Sequence, residues 1–215
     1  MKIPLVTNIL KANDAIAAQN KRMFDDKGIL VINIMSSPGA GKTTLIENTI
    51  NLLKKEMEIA VIEGDVQTSY DSERISATGA QVVQINTEGA CHLDANMISV
   101  AINELNLESV KLLIIENVGN LVCPAGFSLG EDYKVTLTSI PEGDDKPIKY
   151  PLMFNVSSAV IINKIDLLQY IDYDVEKVKD QCLKINPDLA IFEISSKTGQ
   201  GMENWIEWLK SKMKS

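Results

Sequence analysis

Residues 29–50 read ILVINIMSSPGAGKTTLIENTI: an apolar run, a glycine-bearing turn closed by Lys42-Thr43-Thr44, and a helix-periodic segment. A strand running through such a turn into a helix is the setting a phosphate-binding loop needs. Gly39 and Gly41 let successive backbone N–H groups converge on a β-phosphate. The helix behind them presents its positive N-terminus, and Lys42 brings a full charge to the β and γ oxygens. The segment Ser37, Pro38, Gly39, Ala40, Gly41, Lys42, Thr43, Thr44 is thus the candidate cradle, with the Thr43 hydroxyl directed to Mg²⁺. Ser36 stands where glycine is usual, one departure from the motif. A glycine-rich turn alone would have no need of Lys-Thr after its second glycine.

Outward from this stretch, six more β-rich runs follow: EIAVIEG (58–64), QVVQI (81–85), LLIIEN (112–117), VTLTSI (135–140), AVIIN (159–163) and AIFEI (190–194). They are near-continuously apolar, as strands are when helices cover both faces of a sheet. Helical spacing at 43–55, about 93–106, about 174–185 and 201–213 alternates with them, predicting an α/β doubly wound, mostly parallel sheet. Ile9 to Phe24 has a looser helical spacing ending near Gly28, which predicts an N-terminal helix docked outside the main core. The division expected is therefore 1–28, a helical extension, and 29–215, the nucleotide-binding domain. Four of the seven prolines fall between Pro124 and Pro151, marking a region of one strand between two loops.

Two further motifs lie where the later strands end. Asn163-Lys164-Ile165-Asp166 closes AVIIN, at a strand's carboxyl end, where open α/β sheets bind ligands. An Asp166 carboxylate can accept both the N1–H and the exocyclic amine of guanine, Asn163 can bridge base and loop, and the Lys164 stem can lie along the ring. Ser195-Ser196-Lys197 then follows AIFEI, in the place of a loop that offers a backbone N–H to guanine O6. Alone, N-K-x-D could be a capped turn. Following the phosphate loop by about 120 residues and preceding S-S-K by about 30, it specifies a GTPase.

Asp65 and Glu116, each at the end of a predicted strand, are the candidate carboxylates for nucleotide-bound Mg²⁺. Lys42 and Asp65 are the candidate catalytic pair, and Gly119 is a candidate hinge sensing the γ-phosphate. Cys91, the adjacent His92 (the only histidine in the chain) and Cys123, seven residues after Glu116, are soft or borderline donors suited to Ni²⁺ or Zn²⁺. On spacing alone the Cys-His pair reads as structural. Cys182 falls in a helical run and reads as filler.

The 215 residues suit one α/β domain, and a net charge of −8 with 45% hydrophobic residues argues against disorder and against nucleic acid as a main partner. No apolar run exceeds four residues, so no membrane span is expected. The first fifteen residues lack the continuous apolar stretch of a secretory signal, and a cytoplasmic setting is expected.

From Ile9 to Trp208 the sequence resembles HypB, a family of GTPases that assist nickel insertion into nickel-iron hydrogenase. The resemblance is carried by SSPGAGKTTLIE, EGDVQTSYDSERI, GACHLDA, IENVGNLVCPA, PEGDDKPIKYP and INKIDLL. It implies GTP hydrolysis, slow because no water-positioning Gln follows Gly119, together with Mg²⁺ dependence and a homodimer in the GTP state. It also implies partners among the other hydrogenase maturation proteins and the hydrogenase large subunit, and Ni²⁺ or Zn²⁺ ligands at Cys91, His92 and Cys123. A Cys-rich or His-rich N-terminal tract, which some members carry, is absent before the first core strand, so a storage role and a second metal site do not carry over. The urease accessory GTPases are similar in plan, but they place their ligands in Cys-Pro-His, and here Cys123-Pro124 is followed by Ala125. A metal-binding adaptor with negligible turnover is the alternative from another class.

Overall fold

The computed structural model describes residues 5–65 and 70–214, with side chains from Ile9 onward. Part of the EGDVQTSYDSERI segment, residues 66–69, and the first four residues of the 1–28 extension lie outside the described residues. Seven strands form the sheet: β1 (Leu30–Ser36), β2 (Glu58–Asp65), β3 (Gln81–Asn86), β4 (Val110–Glu116), β5 (Tyr133–Ser139), β6 (Ala159–Asn163) and β7 (Ala190–Ile194). All pairings are parallel, in the order β3-β2-β4-β1-β5-β6-β7, which confirms the doubly wound α/β class and places each apolar run on a strand.

Alternation along β1 divides the core. Leu30, Ile32 and Ile34 face helices α2 (Lys42–Leu53) and α8 (Met202–Lys212), in a cluster completed by Leu45, Ile50, Trp205 and Leu209. Ile29 and Val31 face the other way, onto α1 (Leu5–Asp26) and α4 (Ala95–Ile102), where Phe24, Leu93, Ile98 and Leu113 close a second cluster. A third cluster sets Met35, Val160 and Ile162 against α6 (Pro151–Asn155) and α7 (Val175–Ile185). Cys182 belongs to this cluster, fully buried, with its thiol pushed up to about 12 by burial.

The N-terminal helix corrects the expectation that it docks outside the core. Phe24 is fully buried against β1 and β4. Two asparagines fix the helix from within: Asn13 donates to the Ser128 carbonyl at 2.8 Å and accepts the Ala95 N–H at 2.9 Å, and Asn20 donates to the Ala95 and Leu129 carbonyls. The Pro-rich stretch also differs from two plain loops, since α5 (Lys146–Lys149) and α6 each begin beside a proline whose fixed φ suits a first turn. Helix α3 (Tyr70–Ser76) was not anticipated at all.

Candidate functional site

Because every strand is parallel, the ends of β1, β2, β4, β6 and β7 open onto one edge, and the motif residues converge there. Ser36 is the last residue of β1 and fully buried, and its hydroxyl donates to the Ser37 carbonyl at 2.6 Å while accepting from Lys42 Nζ at 3.0 Å. The departure from glycine thus has a use: the serine tethers the lysine of the loop. Gly41 precedes α2 with φ +105°, a left-handed conformation, and a Cβ there would stand 2.5 Å from Asn163 Nδ2. Both constraints demand glycine.

Asn163 is 1% exposed and spends its amide on the loops. Nδ2 donates to the Ala40 carbonyl at 2.9 Å, and Oδ1 accepts the Ser196 N–H and hydroxyl, each at 3.0 Å. Asn163 therefore laces the phosphate loop to the S-S-K loop. Lys164, at φ +63°, donates to the Gly39 carbonyl at 2.6 Å, and Asp166 Oδ1 accepts the Ser195 hydroxyl at 2.6 Å. Between them lies a cavity lined by Gly41, Thr44, Asn163, Lys164, Asp166, Leu167, Ser196 and Lys197. A second cavity, lined by Gly39, Lys42, Thr43, Thr44, Asp71, Arg74, Glu116 and Lys164, adjoins the phosphate loop.

A third recess, bounded by Pro38, Lys42, Glu63, Asp65, Asp71, Glu116 and Gly119, continues from it. Thr43 Oγ1 donates to Glu116 Oε1 at 2.9 Å, while the buried Glu116 Oε2 and Glu63 Oε2 have no hydrogen-bond partner among the described residues. Two buried carboxylate oxygens beside a threonine hydroxyl fit a hard divalent cation, and Thr43, Asp65 and Glu116 could hold it. Glu63 and Glu116 are register partners on neighbouring strands. Burial raises Glu63 to about 8, reinforced by the charges of Glu116, Asp65 and Asp71. Burial likewise raises Glu116 to about 7, against the pull of Lys42 and the Thr43 hydrogen bond. Gly119 lies against the phosphate loop, where an added Cβ would be 2.9 Å from Pro38 Cγ.

Cys91 and His92 sit in the loop between β3 and α4, and Cys123 opens a short 3-10 turn after β4. Their donor atoms lie within 4.8 Å of one another, with Cys91 Sγ 3.4 Å from His92 Nδ1. The imidazole packs on Phe127 at 3.9 Å between centroids, and burial depresses its pKa, favouring the neutral form that binds metals. The neighbouring Cys123 thiol, by hydrogen bonding, raises Cys91. Two thiols and an imidazole suit Ni²⁺ or Zn²⁺ and would not select Mg²⁺.

Sequence reasoning missed Glu63, Arg74 and Asn117. A carboxylate ending the apolar run EIAVIEG was a readable sign of a buried charge in need of a partner. Arg74 reaches Thr44 Oγ1 at 3.0 Å and pairs with Glu47 and Asp71, a convergence no local pattern announces.

A phosphate loop and a second nucleotide loop laced together on the edge of an all-parallel sheet define a P-loop nucleotide-binding protein, with a cluster of soft donors beside them. Residues 30–193 match the family model described as CobW/HypB/UreG, nucleotide-binding domain. The chain is 47% identical over 208 residues to the hydrogenase maturation factor HypB of Azotobacter chroococcum mcd 1, covering 97% of this chain and 68% of that one. With the hydrogenase/urease maturation factor HypB of Helicobacter pylori J99 it shares 44% over 214 residues, 98% and 88% of the two chains. The crystal structure of HypB from Helicobacter pylori in complex with nickel superposes with a TM-score of 0.89 at 42% identity, over 95% of this chain and 98% of that one. The chain belongs to the HypB family of hydrogenase maturation factors.

Proposed function

We propose that this protein is a GTP-hydrolysing metallochaperone, in which GTP-dependent dimerisation is coupled to Ni²⁺ binding and to nickel delivery during hydrogenase maturation. The observation that carries the reading is the convergence of two sites on shared segments: Glu116 faces the phosphate loop, and Cys123 follows on the same stretch of chain. Guanine is read by Asp166, with Lys164 over the ring and Ser195, Ser196 and Lys197 closing the cavity. The phosphates rest on Ser37 to Thr44, with Lys42 on the β and γ oxygens. Thr43, Asp65 and Glu116 would hold Mg²⁺, which would supply neutralisation of the developing phosphate charge. Lys42 and Asp65 are the residues assigned to turnover, which is slow for want of a water-positioning Gln.

Cys91, His92 and Cys123 take nickel as cargo, with zinc the competing ion. Three donors from one chain leave positions that a two-fold partner can fill, because a self-complementary interface brings the same loops together. Residues 29–215 form the GTPase unit and 1–28 its helical extension. The partners are other maturation proteins and the hydrogenase large subunit, in the cytoplasm. Among the described residues no helix is long and apolar enough to cross a membrane. The Helicobacter pylori relative bears a hydrogenase/urease name, which favours urease as a second client class.

Light scattering and nickel titration on the same samples test the reading. A non-hydrolysable GTP analogue with Mg²⁺ raises the dimer fraction and changes Ni²⁺ affinity or stoichiometry relative to GDP. Cys123→Ala abolishes that change without preventing GTP binding. Nickel binding by Cys123→Ala equal to the parent in both nucleotide states places the site elsewhere and defeats the coupling.

A further inference from the structure

Leu93 directly follows His92, is fully buried, and touches the carboxyl ends of two strands at once. Its N–H donates to Asn117 Oδ1 at 3.2 Å. Its side chain fills the space beside Gly64, where an added Cβ would stand 2.9 Å from Cγ and both Cδ atoms. Gly64 immediately precedes Asp65, and Asn117 immediately follows Glu116. The two residues that grip Leu93 are thus the chain neighbours of the two carboxylates assigned to the nucleotide's cation.

Asn117 itself has little freedom. It is 1% exposed, its Oδ1 also accepts the Val118 N–H at 3.0 Å, and its Nδ2 donates to Asn33 Oδ1 at 3.1 Å. Asn33 is anchored in turn, donating to Glu131 Oε1 at 3.3 Å. A buried amide with its hydrogen bonds made moves with its strand end, since breaking one leaves an unpaired polar group. Any shift of Glu116 therefore reaches the His92 loop through the Asn117 side chain, and reaches Cys123 along the chain. The third donor residue, Cys91, is carried by the same loop as His92.

We propose that Asn117 and Leu93 are a positioning pair, through which the ends of β2 and β4 set the placement of the Cys91-His92 loop against Cys123. The pair links nucleotide state to metal affinity, with Asn117 on the wall of the cation recess and Leu93 buried behind the His92 loop. This rests on the reading of Cys91, His92 and Cys123 as the nickel site and of Glu116 as part of the nucleotide site.

The test is a Ni²⁺ titration of the full chain, followed by thiolate-to-nickel charge-transfer absorbance, with Mg²⁺ and either GDP or a non-hydrolysable GTP analogue. The quantity read is the ratio of the two nickel dissociation constants, which allosteric coupling places at about 5–150-fold. Asn117→Ala is expected to bind nickel and nucleotide while the ratio falls to about one, the value without coupling. Gly64→Ala pushes Leu93 from the β2 side with no hydrogen bond removed, and it is expected to shift the same ratio, so the proposal stays testable if Asn117→Ala does not fold. Thr136→Val removes a buried hydrogen bond to Ser157, neither residue being assigned to either site, and is expected to keep the parent ratio. Parent-like ratios in both Asn117→Ala and Gly64→Ala overturn the positioning pair and leave the proposed function standing. Loss of the ratio in Thr136→Val as well assigns the effect to general destabilisation and also overturns it. A ratio of about one in the parent itself defeats the nucleotide-metal coupling, and the pair with it.

Discussion

The Ser195 hydroxyl holds Asp166 Oδ1 at 2.6 Å, and this contact fixes the carboxylate at the rim of the cavity between Gly41 and Leu167. A fixed carboxylate can meet the paired donors of guanine, whereas an amide there presents one donor and suits the keto group of xanthine. Asp166→Asn is therefore expected to weaken GTP by about 1–3 kcal/mol, the cost of a buried polar group left unpaired, and to gain XTP. Nucleotide titration reads both, and parent-like binding of both nucleotides would remove Asp166 from base recognition. Lys42→Ala is expected to lose triphosphate affinity and turnover while keeping the fold, because its side chain's hydrogen-bond partner is the Ser36 hydroxyl at the site; nucleotide titration and circular dichroism check both. At this scale the motif residues were legible because their spacing repeats the chemistry. The task of Asn163 was not, since its partners Ala40 and Ser196 lie 123 and 33 residues away.

Elements were legible in proportion to their length and apolar continuity. The central strands could be read because burial on both faces leaves uninterrupted runs such as Ile59 to Ile62 and Leu112 to Ile115, whereas the edge strands β3 and β7 are only half-buried and were legible as short β-rich runs between turns. Helices α3, α5 and α6 span only 7, 4 and 5 residues, too few turns for a periodic pattern to stand out. The first helix misled for a different reason. Its buried face is partly made of asparagines, which read as polar surface until Ala95, Ser128 and Leu129 are seen to satisfy them. Phe24→Ala is expected to cost about 3–5 kcal/mol, as the loss of a wholly buried aromatic side chain does. Asn20→Ala is expected to cost about 1–3 kcal/mol by orphaning two carbonyls. Equilibrium urea unfolding measures each, and a midpoint unmoved by Phe24→Ala would return the helix to the periphery.

On the scale of the whole molecule, the acidic recess at the sheet edge links stability, pH and divalent cation. Glu63 and Glu116 would titrate near 4.5 in an unfolded chain, but burial and, at Glu63, the neighbouring carboxylates raise them to about 8 and about 7. Between those limits the folded chain binds more protons than the unfolded chain, so unfolding free energy falls as pH rises. The contribution is complete below about 4.5 and is lost as pH climbs through 7 and 8. The metal-free chain is accordingly expected to lose melting temperature from about pH 5 to about pH 8. The net charge of −8 also grows with pH and adds self-repulsion, so the variants separate the two effects. Glu63→Gln should halve the slope between about 4.5 and 7 and flatten the curve from about 7 to 8, Glu116→Gln should halve the slope below about 7 only, and a change in net charge alone would leave the shape intact. A divalent cation bound by Glu116 would compete with its proton, so Mg²⁺ affinity measured with GDP present is expected to rise as pH climbs through about 7. A melting temperature independent of pH in the metal-free parent would mean that both carboxylates are already ionised, and that the cavity holds its charge without a cation.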